Sequence, residues 1–298
     1  MALRSAGSTW DHDRVEVRRG DGSAISVEIV GEQDAPPVLF CHGLADSRLS
    51  AYWFEQTVRE LRLCLVAPDR PGTGGSDPRR LSQVADWAAD AALVLDALRA
   101  DSAALLGVSA GGAFAAACAA AMPGRVRSLL LVSPLGMPGW PTHGMATGER
   151  LSLALARQAP AFGGWFLGRL AVLARRSPRL FFDLTATAMP DIDIRALRQP
   201  AARESFLSNY AEAFRRGSRG VAQDLRVLTR PWGFDLGGIN VPAVVCHGDA
   251  DTTVPLQHAR LFAEAIPGAR LQIYPGHGHF SILAATRELL APLATNQS

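Results

Sequence analysis

The 298-residue chain contains no lysine; all 30 of its basic side chains are arginine. With Ala and Gly also abundant, that bias reads as the mark of a GC-rich genome and not of a function. Cysteine is scarce as well. The four present (Cys41, Cys64, Cys118 and Cys246) sit in apolar runs without the tight pairing of a CxxC site, which argues against a thiolate centre and for reduced, structural thiols. Ligand spacing such as HExxH is missing too, so no metal is expected among the His and Asp residues. The N-terminus, "MALRSAGSTWDHDRV", has no apolar h-region, and the expectation is a cytoplasmic chain without a secretory signal. Residues 102–124 carry no charge, but Gly107, Gly111, Gly112, Pro123 and many alanines make that run a buried strand, turn and helix and not a membrane span. Short-period repeats and low-complexity tracts are absent.

What is present bounds the class. Hydrophobic residues form 48% of the chain, ample for a sizeable core in one large α/β domain or two small ones. The formal net charge of +2 conceals an asymmetry: residues 136–230 hold 14 Arg against 7 Asp and Glu, the remainder 16 against 21. Arginines dispersed on helical segments read as solvated faces, with attraction of an anionic substrate or an acidic membrane as the other reading.

The apolar runs are short and are stopped by Gly, Pro, Asp or Ser. "PPVLFCHG" (36–43), "LRLCLVAPD" (61–69), "SAALLGVS" (102–109), "VRSLLLVSP" (126–134) and "VPAVVCHGD" (241–249) read as buried strands. Before them, "SAISVEIVG" (23–31) alternates Ile25, Val27 and Ile29 with Ser26, Glu28 and Val30, as a half-buried edge strand does. Helical stretches fall near 51–60, 84–100, 110–122 and 256–266. Continuous apolar strands alternating with helices call for a mostly parallel sheet covered on both faces. Between 136 and 230 the alternation fails, and helical segments such as "RLSLALARQ" and "ESFLSNYAEAFRR" occur without a buried-strand run. The expected organisation is a core of residues 1–135 and 231–298, with a helical insertion at 136–230 between two strands.

"GVSAG" (107–111) fits G-x-S-x-G, follows an apolar strand and precedes an Ala-rich helix. Small neighbours suit a sharp strand-to-helix turn that projects the Ser109 hydroxyl above the sheet and aims the N–H groups of the helix start at developing negative charge. A hydroxyl needs an imidazole to take its proton and a carboxylate to orient that imidazole. Two histidines compete in "YPGHGHFS", His277 and His279. Two carboxylates, Asp249 and Asp251, compete in the loop after "AVVC".

Four motifs together resemble the α/β-hydrolase superfamily over residues 23–293: "HG" after an early strand, "DRPGTGGS" (69–76), "GVSAGG" (107–112), and "HGDADTTVP" (247–255) followed by "GHGHF" (276–280). The resemblance implies an α/β-hydrolase fold with the helical insertion placed before the last two strands, and the chain order Ser, acid, His. Its patterns select His279, directly after Gly278 and before Phe280, and Asp251, with Val254 and Pro255 as the tail. Asp224 remains a weaker candidate acid, because some relatives carry the acid on an earlier strand end. The resemblance also implies oxyanion donors at the backbone N–H groups of Leu44 and Ala110, with His42 and Gly43 shaping the first loop, and a structural role for 69–76. The near-identical spellings "CHGLAD" (41–46) and "CHGDAD" (246–251) are then not a repeat. Asp46 and His42 are expected to be structural, with Asp46 tolerating Asn, whereas Asp251 carries chemistry.

The implied activity is hydrolysis of a carboxylic ester of a small molecule through an acyl-enzyme, with no cofactor, no metal and no nucleic-acid partner. Ser109 argues against the epoxide hydrolases and haloalkane dehalogenases, which use Asp as nucleophile. Hydrolases of carbon–carbon bonds, lactones, amides and thioesters, and cofactor-free haloperoxidases, share this triad and stay open. A non-catalytic receptor on the same fold is the remote alternative. The insertion is expected to form a lid whose aromatics (Trp140, Phe162, Trp165, Phe166, Phe181, Phe182, Phe206, Tyr210 and Phe214) pack mainly as lid core, some of them lining an acyl pocket. Residues 162–176 read first as a packed lid helix and second as a lipid contact.

Overall fold

The computed structural model describes residues 13–187 and 189–295, so most of the N-terminal stretch read for targeting lies outside the described residues. Among the described residues, eight strands form one sheet: β1 (Asp13–Arg18), β2 (Ala24–Gly31), β3 (Pro37–Cys41), β4 (Cys64–Pro68), β5 (Ala103–Val108), β6 (Val126–Val132), β7 (Ala243–Gly248) and β8 (Arg270–Tyr274). Their order is β1-β2-β4-β3-β5-β6-β7-β8, antiparallel for the first two pairings and parallel thereafter. The helices are α1 (Glu55–Glu60), α2 (Trp87–Ala97), α3 (Gly111–Ala121), α4 (Thr147–Gln158), α5 (Pro160–Arg176), α6 (Pro178–Ala186), α7 (Asp191–Leu197), α8 (Pro200–Ala213), α9 (Arg219–Leu228), α10 (Leu256–Ala265) and α11 (Thr286–Thr295).

The continuous apolar runs follow from burial on both faces. In β3, Leu39 and Cys41 join α2, α3 and α10 in one core, while Val38 and Phe40 join α1 and α11 in the other. Each Val, Leu or Phe so buried contributes about 1.5 to 3 kcal/mol. The uncharged run 102–124 resolves into β5, a turn and α3, and no helix of the described residues is long and apolar enough to cross a membrane. All four cysteines are buried and free.

Two strand expectations change. β2 is not an edge strand: it lies between β1 and β4, and its polar positions are sealed by partners instead of facing water. Glu28 takes Arg48 at 3.0 Å and the Tyr52 hydroxyl at 2.5 Å, and Ser26 accepts from Arg14 at 3.0 Å. The true edges are β1 and β8, and β8 has no apolar run because much of it is exposed.

Six helices among the described residues, α4 to α9, fill the interval between β6 and β7 where the strand alternation fails. They build a third core around Phe181, Phe182, Phe206 and Phe214. Trp140 packs instead on Phe262 of α10, at 5.1 Å between ring centroids, and Trp165 and Phe166 are exposed. The side chain of Phe162 lies outside the described residues.

Candidate active site

The turn after β5 is built to hold Ser109 in a backbone state that a serine seldom adopts. Its φ is 54°, in the left-handed region, at a cost of about 1 to 2 kcal/mol. The strain is held by the surroundings. The Ser109 N–H donates to the Val132 carbonyl at 2.9 Å, and its own carbonyl accepts from Gly112 at 3.0 Å and Leu135 at 3.1 Å. Gly111 is glycine for lack of room: a Cβ there would overlap the carbonyl oxygen of Cys41. The start of α3 therefore rests directly on the loop that leaves β3.

That loop passes beside Ser109, since a Cβ on Gly43 would lie 3.5 Å from the Ser109 Cβ. Its shape is set from below by Arg70, which is fully buried. The guanidinium donates to the carbonyls of His42 at 2.6 Å and Gly43 at 2.7 Å, pairs with Asp224 at 2.8 Å and stacks on Phe114. His42 Nε2 accepts from the Arg70 N–H at 3.3 Å, so Nδ1 carries the hydrogen directed at Gly43 O. Burial and the adjacent Arg70 hold this imidazole well below its ordinary pKa, hence neutral. The Asp46 carboxylate accepts from the Gly43 N–H at 3.1 Å and from the amide of Asn209 in α8. Asn209 in turn accepts from the Ser47 N–H and hydroxyl. With its carbonyls and the Gly43 N–H committed, and Ala45 at a φ of 54°, the loop leaves the Leu44 N–H without an acceptor among the described residues. The same holds for the N–H of Ala110, a residue only 1% exposed.

At the ends of β7 and β8 the structure brings Asp251 and His279 together. His279 Nδ1 lies 2.7 Å from Asp251 Oδ2. A carboxylate can only accept, so Nδ1 carries the hydrogen and Nε2 keeps its lone pair. The other oxygen of Asp251 accepts the N–H groups of Thr253 and Val254, both at 2.8 Å. Burial alone would raise the Asp251 pKa, but His279, His247 and the Val254 N–H hold it below the usual carboxylate value. For His279 burial works downward, and the charge and hydrogen bond of Asp251, with Asp193 and Glu149 beyond, outweigh it and raise its pKa.

The competing residues are placed elsewhere. His277 directs Nδ1 at the Pro275 carbonyl and packs edge-on against Tyr274. Asp249 accepts the Gly276 N–H at 2.7 Å, tying the β7 loop to the β8 loop. Asp224 is the buried partner of Arg70. The two loops spelled "CHG" do flank β5, though unequally, with β3 adjacent to it and β7 separated from it by β6.

Three contributors carry no sequence signal strong enough to single them out. His247 places Nε2 2.9 Å from the Val254 carbonyl and 3.4 Å from Asp251 Oδ2, giving the acid a second imidazole neighbour; only its place in the repeated "CHG" marks it. Arg70 stands inside the "DRPGTGGS" loop, where the glycines draw the eye. Asp193, in α7, accepts hydrogen bonds from the turn of His279. In the described residues no group of three or more His, Cys, Asp or Glu side chains is disposed to hold a metal ion.

Comparison with known proteins bears on the family and the fold. A family model described as alpha/beta hydrolase fold matches residues 36–286. The chain is 30% identical to 2-hydroxymuconate semialdehyde hydrolase of Pseudomonas putida over 223 residues, spanning 73% of this chain and 70% of that one. Among solved structures it is similar to a thermophilic esterase from Thermogutta terrifontis, with a TM-score of 0.70 and 21% identity, covering 96% of this chain and 100% of that one. A bromoperoxidase from Bacillus anthracis superposes with a TM-score of 0.69 and 19% identity, covering 94% and 98%. These two likenesses concern the fold. A sheet of this order, a serine at the strained turn after β5 and a family match across most of its length make the chain a member of the α/β-hydrolase fold family, a hydrolase of the α/β class.

Proposed function

We propose that the protein is a serine hydrolase that cleaves a carboxylic ester of a small molecule through an acyl-enzyme. The observation that carries this reading is Ser109 on its left-handed turn at the same sheet edge as the hydrogen-bonded Asp251–His279 pair. Ser109 Oγ attacks the ester carbonyl carbon while His279 Nε2 takes its proton, and Asp251 holds the imidazole in the tautomer that leaves Nε2 free. Charge gathers on the carbonyl oxygen, and the N–H groups of Leu44 and Ala110 stabilise it. The imidazolium then protonates the leaving alkoxide. Water, deprotonated by His279, releases the acid and restores Ser109. No cofactor takes part in these steps. Residues 136–230 form the lid, on a core of 1–135 and 231–298, and the core of that lid touches Leu44, Ala45 and Phe280, so the lid shapes the substrate pocket.

The proton-accepting role of His279 sets a pH dependence. Only the neutral imidazole works, and its pKa is raised above the ordinary 6.5. The acid limb of kcat/KM is therefore expected above pH 6.5, activity falling as the pH drops through that raised value, and a limb lying below it speaks against this role. Substrate class is tested by assaying p-nitrophenyl esters of increasing acyl length beside 2-hydroxymuconate semialdehyde. Faster turnover of the esters is expected. The second reading, carbon–carbon bond hydrolysis, rests on the name of the Pseudomonas relative, and faster turnover of the semialdehyde replaces the first reading with it.

A further inference from the structure

Asp193 is fully buried, yet among the described residues no salt bridge neutralises it. Its carboxylate is instead surrounded by three successive backbone donors of the turn that carries His279: the N–H groups of His279 at 2.9 Å, Phe280 at 3.1 Å and Ser281 at 2.8 Å. The turn has adapted to this carboxylate. A Cβ on Gly278 would lie 2.5 Å from both Asp193 oxygens, so only glycine admits it, and the Gly278 N–H is turned away to the Ser281 hydroxyl at 2.7 Å. Asp193 belongs to α7, among the helices inserted between β6 and β7, so the backbone of His279 is held by a residue distant in sequence from the whole β7–β8 unit. Other bonds tie the insertion to the opposite loop, since Asn209 of α8 holds Asp46 and Ser47.

We propose that Asp193 is a positioning residue, whose carboxylate fixes the His279 turn so that the imidazole is aimed only while the inserted helices are seated. The proposal rests on the reading of His279 as the base. A second consequence is electrostatic. The charged and titratable groups around the imidazole are Asp251 and His247 from β7 and its loop, Asp193 from α7 and Glu149 from α4, and Asp193 is one of the negative charges that raise the His279 pKa. Removing that charge lowers it.

The test is Asp193→Asn, which keeps the shape but replaces one acceptor oxygen by a donor facing N–H groups. Asp191→Asn is the control, an equal charge change at an exposed position of the same helix. Ester turnover and the imidazole NMR titration of His279 are measured on each folded protein. For Asp193→Asn, kcat is expected to fall about 10- to 100-fold with KM within about twofold, as a misplaced catalytic group behaves. The His279 titration and the acid limb are both expected to move down, by on the order of one pH unit. Asp191→Asn leaves both in place. Where Asp193→Asn does not fold, Asp193→Ser, with one small acceptor, is read in the same way. An unmoved His279 titration and unchanged kcat, while Ser109→Ala is inactive, overturn the proposal and leave the serine-hydrolase reading standing. A shifted titration with unchanged kcat is the loss of a nearby charge alone and overturns the positioning role. Equal shifts in both variants reduce Asp193 to bulk charge and overturn the proposal.

Discussion

Ser109→Ala is expected to lower the turnover of a p-nitrophenyl ester by on the order of 10⁵- to 10⁶-fold, or about 7 to 8 kcal/mol of barrier. An effect of this size is expected because, in the proposed mechanism, the hydroxyl is the atom that forms the acyl bond, and neither His279 nor the Leu44 and Ala110 N–H groups can replace it. Alanine also fits the site, since the small side chain removes no packing of the turn between Gly107 and Gly111, whose neighbours set its shape. The folded protein should therefore keep its melting temperature to within a few degrees and still bind ester. Residual turnover near that of wild type would mean that another nucleophile operates.

Asp251→Asn is the second large effect, a loss in kcat of about 10³- to 10⁴-fold. The asparagine retains an oxygen for the Thr253 and Val254 N–H groups, but its amide donates toward His279, so the imidazole is held with hydrogen on Nε2, the wrong tautomer for taking a proton from Ser109. The loss of negative charge also moves the His279 acid limb downward. Asp46, the matching letter of the other "CHG" loop, gives the contrast. The sequence suggests that Asp46 tolerates Asn, but its carboxylate accepts from both Gly43 N–H and the Asn209 amide, and Asn209 already uses its own oxygen on Ser47. An amide at position 46 faces a donor with a donor. Asp46→Asn is thus expected to cost about 1 to 2 kcal/mol, roughly a tenfold loss in turnover or a few degrees in melting temperature. Equal losses at 46 and 251 would contradict the division of duties between the two loops.

The contrast shows where sequence is informative. Strand ends buried on both faces leave continuous apolar runs, so β3 to β7 could be read directly, and Ser109 marks the tip of β5, whereas preferring Asp251 to Asp249 and His279 to His277 rests on the motif resemblance. β2 misled because Glu28 and Ser26 are polar yet enclosed, their partners Arg48, Tyr52 and Arg14 lying elsewhere in the chain. β1 and β8 were silent because an edge strand need be apolar on one side only. The same limit hides Asp193 and Asn209: each lies in a helix of ordinary composition, and what distinguishes them is the loop that the fold brings against them. Spacing records what neighbours in the chain require, whereas these two act across more than 80 and 160 residues.

The central claim, that Ser109 is a nucleophile activated by His279 and Asp251, is tested most directly by covalent labelling with a fluorophosphonate followed by tryptic mass spectrometry. Ser109 and Ser102 share the tryptic peptide 100–125, which fragmentation resolves. The prediction is a single phosphonate adduct on Ser109, formed in wild type, slowed strongly in Asp251→Asn and abolished in Ser109→Ala. An adduct on another serine, or none on Ser109 in the folded wild-type protein, would contradict it.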